Sequence, residues 1–308
     1  MTRKGKAPGG RGTKSGGRRA GRQPARAPAR TPALLSARSG RVAVVGQAGS
    51  AAQADERPTV RLERHGAIAV LTLDRPEKLN VLSPREHHAL QAILGELKHD
   101  CQTRVVILTG AGRAFSAGAD LTNPRESGKP ANDLERRHRA RIGDRTVAAL
   151  EALDQITIAA INGLAVGGGA VLALACDMRV IAREAWMLIP EVALGMPLTW
   201  GALPLLVREI GPARTIELVT TCERVSAEQA LAFGLVNHIS DDPLTRAREI
   251  AVRIVGQPEL PVAFTKAAVR ALRTGFATGD ATYADGDLYW LAIQRGGLRV
   301  PGPPHGKR

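Results

Sequence analysis

Three glycine-rich turns carry the residues best suited to chemistry in this chain. The first, Gly110-Ala111-Gly112-Arg113-Ala114-Phe115, follows an apolar run and has the outline of a dinucleotide fingerprint, in which glycines let the backbone approach a pyrophosphate at a helix entrance. Phe115 stands where the third glycine belongs, and a second turn follows where the helix should open, so the fingerprint is broken. The second turn, Ala114-Phe115-Ser116-Ala117-Gly118, approaches a nucleophile elbow, which needs small residues on both sides of a strained serine. Ala114 replaces its first glycine and Gly118 bends the chain again before any helix, which makes hydrolase chemistry a poor fit. The third turn is Gly167-Gly168-Gly169, before the apolar stretch Ala170–Ala175. Three residues without Cβ let a ligand atom approach backbone N–H groups, and a helix N-terminus adds partial positive charge. Taken alone, the triplet reads better as a tight strand-to-helix turn with no ligand.

Metal and thiol chemistry find little support. Cys101, Cys176 and Cys222 are far apart, without a CxxC pair, and His87-His88 has no HExxH partner, so no metal is expected. Isolated thiols of this kind fit buried residues in a reducing compartment. No apolar run is long enough to span a bilayer, and a cytoplasmic protein without membrane attachment is the expectation.

The elements that must position these turns can be read from periodicity. Val60 to Asp74 alternates and breaks at His65-Gly66, which predicts a hairpin. Ser83 precedes a helical pattern to about His99, with Leu90, Ile93, Leu94 and Leu97 on one face. Arg104–Thr109 and Ile156–Ile161 read as buried strands, and Met178–Ala182 and Trp186–Ile189 as further short ones. Residues 122–132 read as a loop and 133–153 as one helix. From Gly201 the pattern is helical, interrupted near Gly211-Pro212, Gly234 and Pro258–Pro261. Strands alternating with helices, then helices alone, predict an α/β domain with a helical C-terminal part.

The formal charge of +14 is concentrated at one end. Residues 1–54 hold twelve Lys and Arg and no Asp or Glu, whereas the remaining 31 basic and 29 acidic residues nearly balance. That tail has no aromatic residue on which bases could stack, which argues against a nucleic-acid partner, although a phosphate-binding arm stays open. Its Arg, Gly, Pro, Ala and Ser composition predicts disorder. It also resembles an organelle transit peptide, or an upstream stretch translated from a wrongly assigned start. The expected organisation is a tail over 1–54, a core over 55–250 and a helical region over 251–308.

Five segments in order change the weight of the glycine triplet. They are Arg75–Ser83 (RPEKLNVLS), Ala114–Leu121 (AFSAGADL), Ile161–Gly169 (INGLAVGGG), Cys176-Asp177 and Pro190–Pro197 (PEVALGMP). Together with Gly211–Arg214 and Ser226–Ile239, the chain over roughly 58–275 resembles the crotonase (enoyl-CoA hydratase/isomerase) superfamily. The resemblance implies a spiral of ββα units with a C-terminal helical trimerisation region, a homotrimer or hexamer, and an acyl-CoA thioester as substrate. Coenzyme A would enter as part of that substrate, and no separate cofactor is implied. By position, the backbone N–H groups of Ala119 and Gly168 would form an oxyanion hole. Lys78, Val81, Ala117, Asp120 and Leu121 would contact the nucleotide and pantetheine. Glu191 would be the catalytic acid/base, with Pro190 and Leu194 beside the acyl group and Leu188, Ile189, Val192 and Leu194 supplying an apolar setting. Lys266 is a second candidate for a CoA phosphate.

One position departs from the pattern. A hydratase of this family carries a second glutamate three residues after the middle glycine of the triplet, and here that residue is Val171. Glu126, Asp133, His138 and Asp144 are the polar residues that could substitute for it. The reading is an acyl-CoA-processing enzyme with one glutamate, isomerase-like, against a single-glutamate hydratase or a non-catalytic acyl-CoA binder. Asp177 reads as structural. Trp200 either narrows the acyl pocket or packs at a helix entrance.

Overall fold

The computed structural model describes residues 57–121, 131–195 and 198–274. The basic tail, most of the loop at 122–132 including Glu126, and the last part of the C-terminal region lie outside the described residues. Strands β1 (Val60–His65) and β2 (Ile68–Leu73) form the expected hairpin, turning at Gly66 with φ 61°. Next to β2 run β3 (Val105–Gly110), β5 (Ile156–Ile161), β7 (Met178–Ala182) and β10 (His238–Ser240), all parallel. Every residue of β3 is buried, which is why it reads as an unbroken apolar run rather than an alternation.

A second sheet holds the short strands β4 (Ala114–Ser116), β6 (Leu164–Val166), β8 (Trp186–Leu188) and β9 (Val225–Ser226). Its first three strands are parallel neighbours. The chain thus repeats one step: a strand in the large sheet, a strand in the small sheet, then helix. Helices α2 (Asp133–Ala140) and α3 (Ile142–Glu151) follow β4, and α4 (Gly168–Ala175) follows β6. The helix expected over 133–153 is two helices. Arg141, at φ −92° and ψ 15°, leaves helical geometry and separates them.

Helix α1 (Pro84–Leu97) starts on a capping box: Ser83 Oγ accepts from Arg85 N, and the Glu86 carboxylate accepts from Ser83 N. Such a cap stabilises a helix start by about 1 kcal/mol. Its apolar face, Leu90, Leu94 and Leu97, joins α3 and α4 in a core against one face of the large sheet. Helix α7 (Pro243–Val255) covers the other face through Ala247 and Ala251. Helix α5 (Ala202–Thr221) kinks at Gly211-Pro212, and α6 (Ala227–Phe233) and α8 (Glu259–Thr274) complete the helical part. Among the described residues no helix is long and apolar enough to cross a membrane.

Candidate active site

The parallel order β4–β6–β8 brings three distant segments together, because each leaves the carboxyl end of a neighbouring strand. Ser116 is in register with Ala165, and Val166 with Leu188, so Gly118-Ala119, Gly167-Gly168 and Pro190-Glu191 emerge side by side. The two turns that the resemblance implies would hold one oxygen are in contact. A Cβ built on Gly118 would lie 2.5 Å from the carbonyl oxygen of Val166 and 3.0 Å from Gly168 N. Gly118 takes φ 83° to make this approach, a conformation open to glycine without penalty.

Each glycine of the triplet answers to a different neighbour. A Cβ on Gly167 would stand 2.9 Å from Glu191 Oε1, one on Gly168 would run into the Trp200 indole, and one on Gly169 would lie 2.8 Å from Ser116 Cβ. Gly168 is the first residue of α4, and no side chain caps that helix start. The position therefore offers backbone N–H groups and partial positive charge to a ligand atom.

Glu191 is half-buried, and its Oε2 has no hydrogen-bond partner. Burial pushes its carboxyl above the ordinary glutamate range. The apolar setting expected from the sequence holds only in part. Ile189 is buried, but Val192 and Leu194 are 44 % and 50 % exposed, and the glycine turn lies against the carboxyl at Gly167. Val171, one turn into α4, is buried in the core.

The first turn is held by a buried amide. Asn80 Nδ2 donates to the carbonyls of Ala111 and Ala114, its Oδ1 accepts from Arg75 N, and its own carbonyl accepts from Ser116 Oγ. Ser116 Oγ also accepts from Gly118 N, so both partners of the hydroxyl are turn backbone and neither is a base. Ala117 N donates to Leu79 O, Leu82 N to Gly118 O and Asp120 N to Leu82 O, fastening the 75–82 loop along the turn. This places Val81 and Ala117, both half-buried, next to exposed Lys78 and Leu121. The Asp120 carboxylate lies 3.9 Å from Arg75 Nη1.

Two other residues singled out in the sequence, His87 and Asp144, are engaged elsewhere. His87 is buried, with Nδ1 2.9 Å from Thr146 Oγ1, and burial holds its pKa down at about 4. Asp144 pairs with Arg141 across 3.4 Å. Among the described residues no cluster of His, Cys, Asp and Glu could hold a metal. Asp177 is structural as read: it accepts from the N and Oγ1 of Thr157.

Lys266 is not free to meet a phosphate, contrary to expectation. Its ammonium is buried, 2.7 Å from Asp177 Oδ2 and donating to Gln155 O at 2.6 Å, which ties α8 to the sheet. Removing one partner of a buried ion pair leaves an uncompensated charge and typically costs about 3–5 kcal/mol. Lys266→Met should therefore lower the unfolding free energy by about that amount in urea titrations while leaving KM for an acyl-CoA unchanged. A raised KM with intact stability would restore the phosphate role.

Comparisons with known proteins identify the family. The sequence model of the Enoyl-CoA hydratase/isomerase family matches residues 63–290. The chain is 36% identical over 217 residues to the short-chain-enoyl-CoA hydratase of Clostridium acetobutylicum, covering 70% of this chain and 82% of that protein. It is 32% identical over 210 residues to the crotonyl-CoA hydratase of Syntrophomonas wolfei, covering 67% and 79%. Among solved structures, an enoyl-CoA hydratase from Bacillus anthracis superposes with a TM-score of 0.70 at 33% identity, covering 77% of this chain and 92% of that one. The described fold matches the α/β architecture of those structures, as the resemblance implied. The chain is an enzyme of the enoyl-CoA hydratase/isomerase family, with the crotonase fold.

Proposed function

We propose that the protein moves a double bond within an acyl-CoA, converting a 3-enoyl thioester to the conjugated 2-enoyl form. The observation that carries this reading is the half-buried carboxyl of Glu191 against the glycine turn, its Oε2 without a hydrogen-bond partner, with buried Val171 where a second acid would stand. The backbone N–H groups of Ala119 and Gly168 hold the thioester oxygen. Glu191 takes a proton from C2, the electron pair spreads over C2 to C4 and the oxygen, and the same carboxyl returns the proton at C4. Two fixed donors stabilise the oxygen as charge develops, each contributing about 3–4 kcal/mol. Hydration would instead need a second group to hold and activate water, and a lost acid/base typically costs about 10²–10⁴-fold in rate. No resident cofactor is needed, since the carbon acid and its proton carrier complete the reaction. Assembly as a homotrimer or hexamer belongs to the same reading, supported by family likeness.

The alternative is a hydratase working with Glu191 alone, favoured by the hydratase names of the relatives. Incubating the protein with matched 2-enoyl- and 3-enoyl-CoA substrates separates the two. Isomerisation should exceed hydration by about 10²-fold or more. Faster hydration would overturn the isomerase reading, and loss of both would leave an acyl-CoA binder. Val171→Glu should raise hydration at least tenfold if the rest of the machinery is intact.

A further inference from the structure

Two helix glycines and a buried histidine form a slot for one indole. A Cβ on Gly143 would fall well inside 3.0 Å of Trp200 Cε2, Nε1 and Cδ2, and a Cβ on Gly168 would do the same with Cζ3 and Cη2. The indole therefore spans from α3 to the first residue of α4, one edge against each. His87 meets it edge-on, with ring centroids 5.0 Å apart at 81°. Trp200 also takes a left-handed backbone, φ 59°, which is unfavourable for any residue with a Cβ. That backbone penalty is set against the packing of the indole between the two helices.

We propose that Trp200 is the specificity-determining end wall of the acyl compartment and limits the enzyme to short acyl groups. This rests on the reading that the thioester oxygen sits at Gly168 N–H. A thioester held there brings its first acyl carbons alongside Gly168. The indole already occupies the volume on the Cα side of that residue, so a longer chain runs into its six-membered ring. Trp200 packs against the main core but is only partly buried, so part of the indole stays exposed.

Chain-length selection can be read with and without turnover. Calorimetry with saturated butyryl-, hexanoyl-, octanoyl- and decanoyl-CoA should show affinity falling about tenfold or more at one step of the series in the wild type, since one surplus methylene against a rigid wall costs about 10–200-fold. Trp200→Gly suits the positive φ and should remove that fall, and Trp200→Phe, which keeps an aromatic in the slot, should shift it partway. The kcat/KM series on 3-enoyl-CoAs of the same lengths should move in parallel. If Trp200→Gly isomerises with an unchanged length profile, the wall is refuted and the isomerase reading stands. If the binding profile shifts without any turnover, the isomerase reading fails and the wall stands. If affinity in the wild type rises steadily to decanoyl, the wall is refuted.

Discussion

Glu191→Gln should lower turnover of a 3-enoyl-CoA by about 10²–10⁴-fold while acyl-CoA affinity stays near that of the wild type. The amide keeps the size of the carboxyl beside Gly167 but can neither accept nor return a proton. The pH dependence gives a second signature. A base works only when deprotonated, so activity is lost as pH falls through the carboxyl pKa, and burial has moved that pKa upward. The acid limb of kcat/KM in the wild type should therefore lie above the usual glutamate value of 4.5 and be absent from the residual rate of the variant. Stability runs the other way. The folded state holds this proton to higher pH than the unfolded chain, so ionisation at neutral pH opposes folding, and Glu191→Gln should be at least as stable as the wild type at pH 7. Undiminished isomerase turnover in this variant would remove the mechanism.

Gly118→Ala should cut kcat by about 10²–10³-fold and cost about 2–3 kcal/mol of stability. The new Cβ would press on a backbone oxygen at 2.5 Å and a backbone nitrogen at 3.0 Å, neither of which can rotate aside, so the two turns must move apart. A displacement of that size misaligns both donors at once. Gly66→Ala is the matched control: it also has positive φ, but nothing lies within 4 Å of its Cβ. It should show only the conformational penalty of about 1 kcal/mol in chemical denaturation, with wild-type steady-state kinetics. Equal kinetics in the two variants would show that the approach of the turns does not matter to the reaction.

The central strands of the large sheet were legible because they are long and buried, as at Val105–Gly110 and Ile156–Ile161, whereas β10, three half-buried residues, lies where the sequence reads as helical. Of the small sheet, only Trp186–Leu188 was legible, within the short strand read at Trp186–Ile189. Ala114–Ser116 and Leu164–Val166 are three-residue strands inside what reads as turn, too short for any period to register. Yet that sheet gathers the site, so motif order located the segments while nothing in the sequence announced the element joining them. Of the apolar neighbours of Glu191 in sequence, Ile189 is buried while Val192 and Leu194 are exposed, a difference that adjacency along the chain does not reveal. Lys266 and Asp177 are far apart along the chain, and a lysine on an amphipathic helix gives no sign of a buried partner. Trp200 was the least legible: its positive φ is the last conformation a tryptophan would be assigned, and only the two distant glycines that face it in space give the reason.

The Asn80 clamp joins the loop that carries Lys78 and Val81 to the turn that carries Ala119, with Leu82 paired to Ala119 beside it. Under the proposed function these are opposite ends of one ligand, the nucleotide handle and the reacting thioester. Built as one rigid piece, they cannot be ordered separately. Free energy gained in gripping the handle is then conveyed to the donor at the far end, and by reciprocity a substrate stripped of its nucleotide should suffer in rate as well as in residence.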